Sequence, residues 1–364
     1  MTTKKIRVAV LFGGKSVEHD ISLKSAHNVV ENIDKDKFEV TLIGIDRNGG
    51  WHLNADTQSI SRSRSLAIIN GETDHNLVEL DNNDHKYPID VVFPVLHGTD
   101  GEDGSIQGLL RASNLPFVGS GVLGSAVSMN KIISKKLLLA AGIPVANFIA
   151  CTFSEKDHLI YDEVVKKLGS PFIVKPANLG SSVGISKVSD ETQFQEALQT
   201  SFNFDQEAII EEFIIGRELE CAVMGDENPV ASAPGEIIIK GDYEFYDFEA
   251  KYVDPDAVEI KIPADANPAQ VDEMKQYCVA AFKALCCNDF ARVDLFFTDE
   301  GKIFINEINT IPGFTNSSMF PLLWENEGIS YTELITQLIE MALKRFHKRA
   351  RAETKFISGL NREV

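Results

Sequence analysis

The sequence predicts a mixed α/β and α+β protein built from more than one domain. Three observations carry this. Continuous apolar runs at 6–12, 38–45 and 89–96 are separated by a segment of helical spacing at 22–33, as in a buried parallel sheet. Much later, ARVDLFFTDEGKIFINEIN at 291–309 places two apolar runs around Thr298-Asp299-Glu300-Gly301, which reads as an antiparallel hairpin. The chain has 364 residues, enough for two or three domains with cores of their own.

The composition narrows the functions. With 44% hydrophobic and 24% charged residues the chain is ordinary for a globular protein. Its formal net charge of −19 argues against nucleic acid and anionic membranes as partners, because both call for clustered Lys and Arg. No apolar run approaches transmembrane length. The opening MTTKKIRVAVLFGG has a basic start and a short apolar run, but the run ends in Gly-Gly-Lys and not in a small-residue cleavage site, so it reads as a strand. Cys151, Cys221, Cys278, Cys286 and Cys287 are odd in number and lack C-x-x-C spacing, which predicts reduced, mostly buried thiols in a cytoplasm.

In chain order, the strand at 6–12, the Gly13-Gly14 turn, the helix at 22–33 and the strand at 38–45 form a Rossmann-like opening. GGKSVEHD is not G-x-G-x-x-G, so no dinucleotide site is indicated. Glu18 lies just past the strand, where open α/β sheets place ligands; a first-turn acid favouring the helix N-terminus accounts for it equally well. Residues 46–88 are polar and read as loops and short strands. The strand at 89–96 ends in HGTDGEDG, a Gly-rich binding-loop signal in which His97 either donates to a ligand or braces the loop. A short helix spans 105–112, and a strong one spans 129–142 with Gly142 as its stop. Lys131 in its first turn opposes the helix dipole, so solvation or a bound anion must justify it.

PFIVKP at 171–176 is a strand with Lys175 near its end, followed by a Gly/Ser loop at 177–185 and a strand at 186–188. Backbone N–H groups of such a loop can wrap phosphate oxygens, although this is not a Walker A loop. A helix follows at 191–202. Glu211 and Glu218, on strands either side of a hinge, can accept hydrogen bonds from an adenine amino group and a ribose; pattern alone favours simple alternation on a half-exposed strand. The aromatic and charged segment within 235–263 reads as a long ordered loop of the lid kind, and 269–286 as a helix. An irregular polar loop occupies 310–318, the last helix 331–346, and a frayed tail the remainder from 347.

The chemistry concentrates in the hairpin. With a loop at 298–301, Phe297 faces Lys302 and Arg292 faces Glu307. Side chains at i and i+2 share a face, as do cross-strand partners, so Arg292, Asp294, Glu307 and Asn309 project together. Two carboxylates and a carboxamide form an all-oxygen set suited to a hard divalent cation such as Mg²⁺, and the neighbouring Arg can hold an anion. A solvated hairpin face is the plain alternative.

Taken in order over 6–346, GGKSVEHDIS, HGTDGEDG, PFIVKPANLGSSVG, EEFIIGRELE, DFEAKY, ARVD and NEINTIPGFT resemble the D-alanine–D-alanine ligase family of the ATP-grasp superfamily. The resemblance implies a Rossmann-like N-terminal domain followed by a two-subdomain ATP-grasp fold, with domains at 1–121, 122–211 and 212–348 and a tail at 349–364. It implies ATP-dependent joining of two D-alanines through a D-alanyl phosphate for peptidoglycan precursor synthesis, by a cytoplasmic homodimer using ATP and two Mg²⁺ ions, with Mn²⁺ able to substitute. By resemblance, Asp294, Glu307 and Asn309 are the metal ligands. Lys131 and Lys175 are phosphate lysines, Ser181, Ser182 and Val183 belong to the phosphate loop, and Glu211, Phe213 and Glu218 surround adenine and ribose. Glu18 holds the first ammonium, Arg292 and the Gly313 N–H the oxyanion, and His97, Ser318 and Met319 complete the substrate side. Lys251 and Tyr252 lie in the family's ω-loop, where Tyr252 closes the site with Ser181 and Glu18. A D-lactate or D-serine acceptor, or a non-catalytic ATP-binding regulator, are the alternatives; Tyr252 argues against D-lactate, because related depsipeptide ligases often carry Phe there. Asp100, Asn130, Cys286 and Asp289 depart from the usual family pattern, the last two replacing glycines.

Overall fold

A computed structural model describes residues 4–53, 55–58, 60, 64–68, 77–80, 86–240 and 258–360, the last helix with side chains to 351. Lys251 and Tyr252, with the expected lid segment, lie outside the described residues. The N-terminal sheet is built on β1 (Ile6–Gly13), β2 (Phe38–Ile45) and β7 (Val91–Val95), with β1 parallel to both neighbours. Its apolar run is explained by burial on both faces: Val8, Val10 and Phe12 enter one core, Ala9 and Leu11 another. Helix α1 (His19–Asn32) packs on the first of these cores and α2 (Ser105–Ala112) on the second. The polar 46–88 region supplies four short strands, β3 (Trp51–Leu53), β4 (Arg64–Ile68), β5 (Leu77–Glu79) and β6 (Lys86–Tyr87), which extend the sheet antiparallel to seven strands.

Next come α3 (Val122–Met129) and α4 (Lys131–Ala140). Helix α4 is the one expected over 129–142, two residues shorter at each end, whereas α3 was not expected. Asn130 is extended and its side chain accepts from the Ile133 N–H, so it caps α4 and separates it from α3. Its Nδ2 donates to Glu207 at 2.9 Å. The second sheet orders β10 (Ser186–Val188), β9 (Phe172–Pro176), β11 (Glu207–Glu212) and β8 (Phe148–Thr152), covered by α5 (Tyr161–Leu168) and α6 (Glu191–Phe202) over their own core.

The third sheet runs β15 (Val258–Lys261), β14 (Gly235–Ile239), β12 (Arg217–Gly225), β16 (Asp289–Phe297) and β17 (Ile303–Asn309), with β13 (Val230–Ala231) on β12. Helix α7 (Pro268–Ala284) covers one face; α8 (Met319–Asn326) and α9 (Tyr331–Leu360) lie against the other. The frayed tail expected from 347 is instead a continuation of α9, because 347–358 holds Ala, Arg, Lys and Glu without Gly or Pro.

The hairpin register also differs from expectation. Thr298 N–H donates to Lys302 O at 3.0 Å and Phe297 faces Ile303, so the turn is one residue longer. A bulge then sets Asp294 opposite Glu307 and Arg292 opposite Asn309, leaving Asn306 as an extra residue. The two offsets together restore the parity, which is why the four polar residues still share a face while Arg292 does not face Glu307.

Candidate active site

Two adjoining clefts lie between the sheets. The larger, about 1180 Å³, is lined by Glu18, His97, Arg292, Asn309, Gly313, Ser318 and Met319. The second, about 410 Å³, is lined by Lys131, Lys175, Ser182, Val183, Glu211, Phe213, Glu218 and Asp294. Gly180, Ser181, Glu220, Ile237 and Glu307 line both and mark the junction. Every predicted site residue among those described therefore borders one cleft or both.

The substrate-side wall is assembled by hydrogen bonds between distant loops. Glu18 is the N-cap residue of α1, is buried, and accepts from Ser181 Oγ, so the Gly/Ser loop is tied to the end of the N-terminal sheet. Gly98 approaches so closely that a Cβ would sit 2.5 Å from Glu18 Oε2, and its φ of +71° suits glycine. His97 resolves as a brace. A carbonyl oxygen only accepts, so its Nδ1–H donates to Ile311 O at 2.9 Å, while Nε2 accepts a hydrogen bond from the Ser25 hydroxyl at 3.3 Å. Ser25 Oγ in turn accepts from Phe314 N–H at 3.2 Å. Burial holds the His97 pKa below its ordinary value against the pull of Glu18, which keeps the ring neutral. Glu102, which sequence reasoning missed, accepts from Gly98 N–H at 2.8 Å and Ile311 N–H at 3.0 Å. Burial, then the charge of Glu18, pushes its pKa up to about 8. Ser318 Oγ accepts from Thr315 N–H at 2.9 Å, and a Cβ on Gly313 would meet it at 2.7 Å.

On the nucleotide side, Ser181 and Ser182 both have left-handed φ, of +52° and +58°. For L-residues this conformation costs on the order of 1–2 kcal/mol each, and such loops turn backbone N–H groups inward as anion nests. Lys131 is buried in the first turn of α4, with Nζ 2.5 Å from Leu179 O and 3.4 Å from Glu307 Oε2. These partners offset its unfavourable position on the helix dipole. Glu211 is not half-exposed, as alternation suggested, but 4% exposed between two lysines. Lys175 Nζ is 2.9 Å from Oε2 and Lys135 Nζ 3.3 Å from Oε1. Burial alone raises the Glu211 pKa, but the two ammonium groups outweigh it and hold the carboxyl ionised; burial pulls the Lys135 pKa down. Lys135 was missed, although its i+4 spacing from Lys131 puts both on one helix face. Lys187 sits over the Phe213 ring, 4.9 Å from its centroid.

At the junction, Arg292 forks onto Asp294, with Nε to Oδ1 and Nη2 to Oδ2 both at 2.7 Å, and lies 3.0 Å from Glu220 Oε2. Asn309 Nδ2 donates to Asp294 Oδ2 at 3.0 Å. Glu220 and Asn306 were also missed; Glu220 is two residues from Glu218 on the same strand face, a signal present in the pattern. Among the described residues no three His, Cys, Asp or Glu side chains converge as a metal cage. Two carboxylates and one carboxamide still fit Mg²⁺, which usually takes one or two protein carboxylates and completes its shell with phosphates and water.

The family departures have local explanations. Asp100, at φ +66°, pairs with Lys15 at 2.8 Å. Cys286 and Asp289 have φ of +56° and +60°, the region glycine adopts freely. Asp289 is fully buried against Arg345, 2.8 Å from Nη2, and accepts from Gly119 N–H at 2.9 Å. All five cysteines are free, and only Cys286 is exposed.

Models described as "D-ala D-ala ligase N-terminus" and "D-ala D-ala ligase C-terminus" match residues 7–120 and 137–340. A D-alanine–D-alanine ligase of Oceanobacillus iheyensis is 48% identical over 94% of this chain and 96% of its own length. The solved D-alanine-D-alanine ligase of Coxiella burnetii superposes with a TM-score of 0.89 at 36% identity, covering 99% of this chain and all of that one. The Bacillus anthracis D-alanine–D-alanine ligase, solved in complex with ATP, gives a TM-score of 0.73 at 28% identity over 94% of this chain and 99% of its own. This chain, with its mixed α/β and α+β architecture and ATP-grasp fold, belongs to the D-alanine–D-alanine ligase family.

Proposed function

We propose that the protein joins two D-alanines at the expense of ATP, passing through a D-alanyl phosphate, to supply peptidoglycan precursor. The observation that carries this is the junction. A cleft with Lys131, Lys175, Glu211 and Glu218 meets a cleft with Glu18, Arg292 and Gly313 at Ser181, Glu220 and Glu307. Phosphoryl transfer asks a protein mainly for positioning and charge neutralisation. The 180–184 loop and the two lysines hold the triphosphate, with Glu211 at the base and Glu218 at the ribose. Asp294, Glu307 and Asn309 would hold two Mg²⁺ ions, or Mn²⁺, which supply charge neutralisation at the β- and γ-phosphates when bound. Glu18 takes the ammonium of the first D-alanine. The amine of the second attacks the acyl phosphate, and Arg292 with the Gly313 N–H stabilises the oxyanion, a donor of this kind being worth about 10²–10³ in rate. Ser318 and Met319 border the acceptor's carboxylate and methyl group. Tyr252 and Lys251, outside the described residues, complete the closure by family resemblance.

The same reading divides the chain at 121/122 and 211/212, supported by three separate sheets, although β11 of the second sheet runs one residue past the latter point. It makes the enzyme a homodimer and places it in the cytoplasm; four buried free thiols agree with a reducing compartment. Among the described residues no helix is long and apolar enough to cross a membrane. Purified protein given Mg²⁺-ATP and D-alanine should release ADP and phosphate and form D-alanyl-D-alanine. ADP release that does not depend on D-alanine overturns the reading, and parallel reactions with D-lactate or D-serine as acceptor test the two variants.

A further inference from the structure

Three carboxylates stand in one row across the third sheet. Glu220 on β12 is opposite Asp294 on β16, and Asp294 is opposite Glu307 on β17. Directly opposed residues share a face, so all three look toward the junction. Glu220 is buried there and lines both clefts. Arg292 lies between the first two members of the row. Its Nε–H is directed at Asp294 Oδ1 at 2.7 Å, while Glu220 Oε2 stands 3.0 Å from the same nitrogen. A single N–H makes one linear hydrogen bond, so Asp294 holds that bond and Glu220 contributes an ionic contact.

Asp294 has two claims on it. It engages Arg292 with both oxygens, and in the ligase reading, on which this inference rests, it is also a metal ligand. A guanidinium forked onto a carboxylate occupies the same inward-facing lone pairs through which both oxygens would chelate a cation. We propose that Glu220 is the positioning residue of Arg292: as Asp294 turns to the cation, the Arg292 Nε–H swings onto Glu220, and the guanidinium stays aimed at the oxyanion. The contact is already at 3.0 Å, so a small rotation completes it.

The step that depends on Arg292 is amine attack. If the guanidinium drifts, the acyl phosphate still forms and water takes the place of the amine. Its C–O bond to phosphate breaks, D-alanine and phosphate are regenerated, and the net reaction is ATP hydrolysis. The test is Glu220→Met, which removes charge and acceptor at similar volume. ADP should exceed dipeptide several-fold where the wild type gives equal amounts, with KM for ATP little changed and dipeptide turnover down roughly tenfold or more. A merely structural role lowers both products together and leaves their ratio at unity. Independently of turnover, NMR with Mg²⁺-ADP bound should show the Arg292 Nε–H slow to exchange in the wild type and fast in the variant. Equal ADP and dipeptide, or unchanged exchange, overturns the proposal. If Glu220→Met does not fold, Glu220→Gln carries the same measurements, with a smaller excess of ADP because the amide oxygen still accepts. Wild-type protein without D-alanine-dependent ADP release counts against the ligase reading itself, and so separates the two failures.

Discussion

Replacing Arg345 with Met isolates a buried ion pair that lines neither cleft. Asp289 is fully buried and Arg345 about one-fifth exposed, and the Arg345 Nη2 also donates to Phe117 O and Gly119 O, each at 2.8 Å. Removing one partner of a buried pair costs about 3–5 kcal/mol, and the exposed edge of Arg345 places this case near the lower end. With unfolding entropy of about 2.1 cal/mol/K per residue, a loss of about 3 kcal/mol lowers Tm by roughly 4 °C if the chain unfolds as one unit. The cost depends on pH. Burial, only partly countered by Arg345, raises the Asp289 pKa to about 6. A carboxyl raised in the folded state keeps its proton while the unfolded chain has lost it, so its contribution falls as pH rises from about 4 to 6 and is level above. At pH 5 the wild-type carboxyl is mostly neutral and losing Arg345 matters little, about 1 kcal/mol. At pH 8 the variant must either bury an unpaired charge or hold a proton far above its ordinary range, and pays in full. Thermal unfolding followed by circular dichroism at pH 5 and pH 8 measures both losses, and Asp289→Asn in the Arg345→Met background should recover most of the loss at pH 8. Equal losses at the two pH values refute the electrostatic account.

Lys135→Met should raise KM for ATP about tenfold while changing kcat less, because Glu211 then draws Lys175 away from the phosphates; steady-state kinetics at saturating D-alanine measures it. Cys286→Gly should stabilise by about 0.5–1 kcal/mol, since it relieves a left-handed residue whose side chain is exposed, and a urea midpoint shift reports it. A fall in the midpoint shows that the Cys286 side chain contributes more than its backbone conformation costs.

Much of this architecture was legible because periodicity and chemistry agree where burial is simple. β2, α2 and α6 run over the residues their patterns predict, and the parity of Arg292, Asp294, Glu307 and Asn309 survived an error in register. What escaped depends on distance in sequence. Nothing local to Glu211 says that Lys135 and Lys175 will bury it, since its exposure is fixed by contact between α4 and the second sheet. Glu102 is one acid among several in its loop until Ile311, more than two hundred residues later, donates to it. α3 escaped because its sequence, VLGSAVSM, is short and carries Gly and two serines, and the start of α4 was placed two residues early because only the extended backbone and side-chain cap of Asn130 fix it. The last helix was cut short because apolar spacing stops at 346, whereas helical propensity alone continues to Leu360.

The bulge in β17 has a consequence for how densely a strand can carry chemistry. In a regular strand, side chains on one face recur every second residue, about 6.5–7 Å apart. Because two residues there oppose one, Asn306 and Glu307 both border the nucleotide cleft although they are chain neighbours, and Asn309 follows on the same face. Three polar side chains thus fit into four residues where a flat strand would offer two. An in-frame deletion of Asn306 would leave Glu307 opposite Asp294 and thin this cluster, whereas one further inserted residue would turn Glu307 and Asn309 into the apolar core and bring Ile308 to the phosphates.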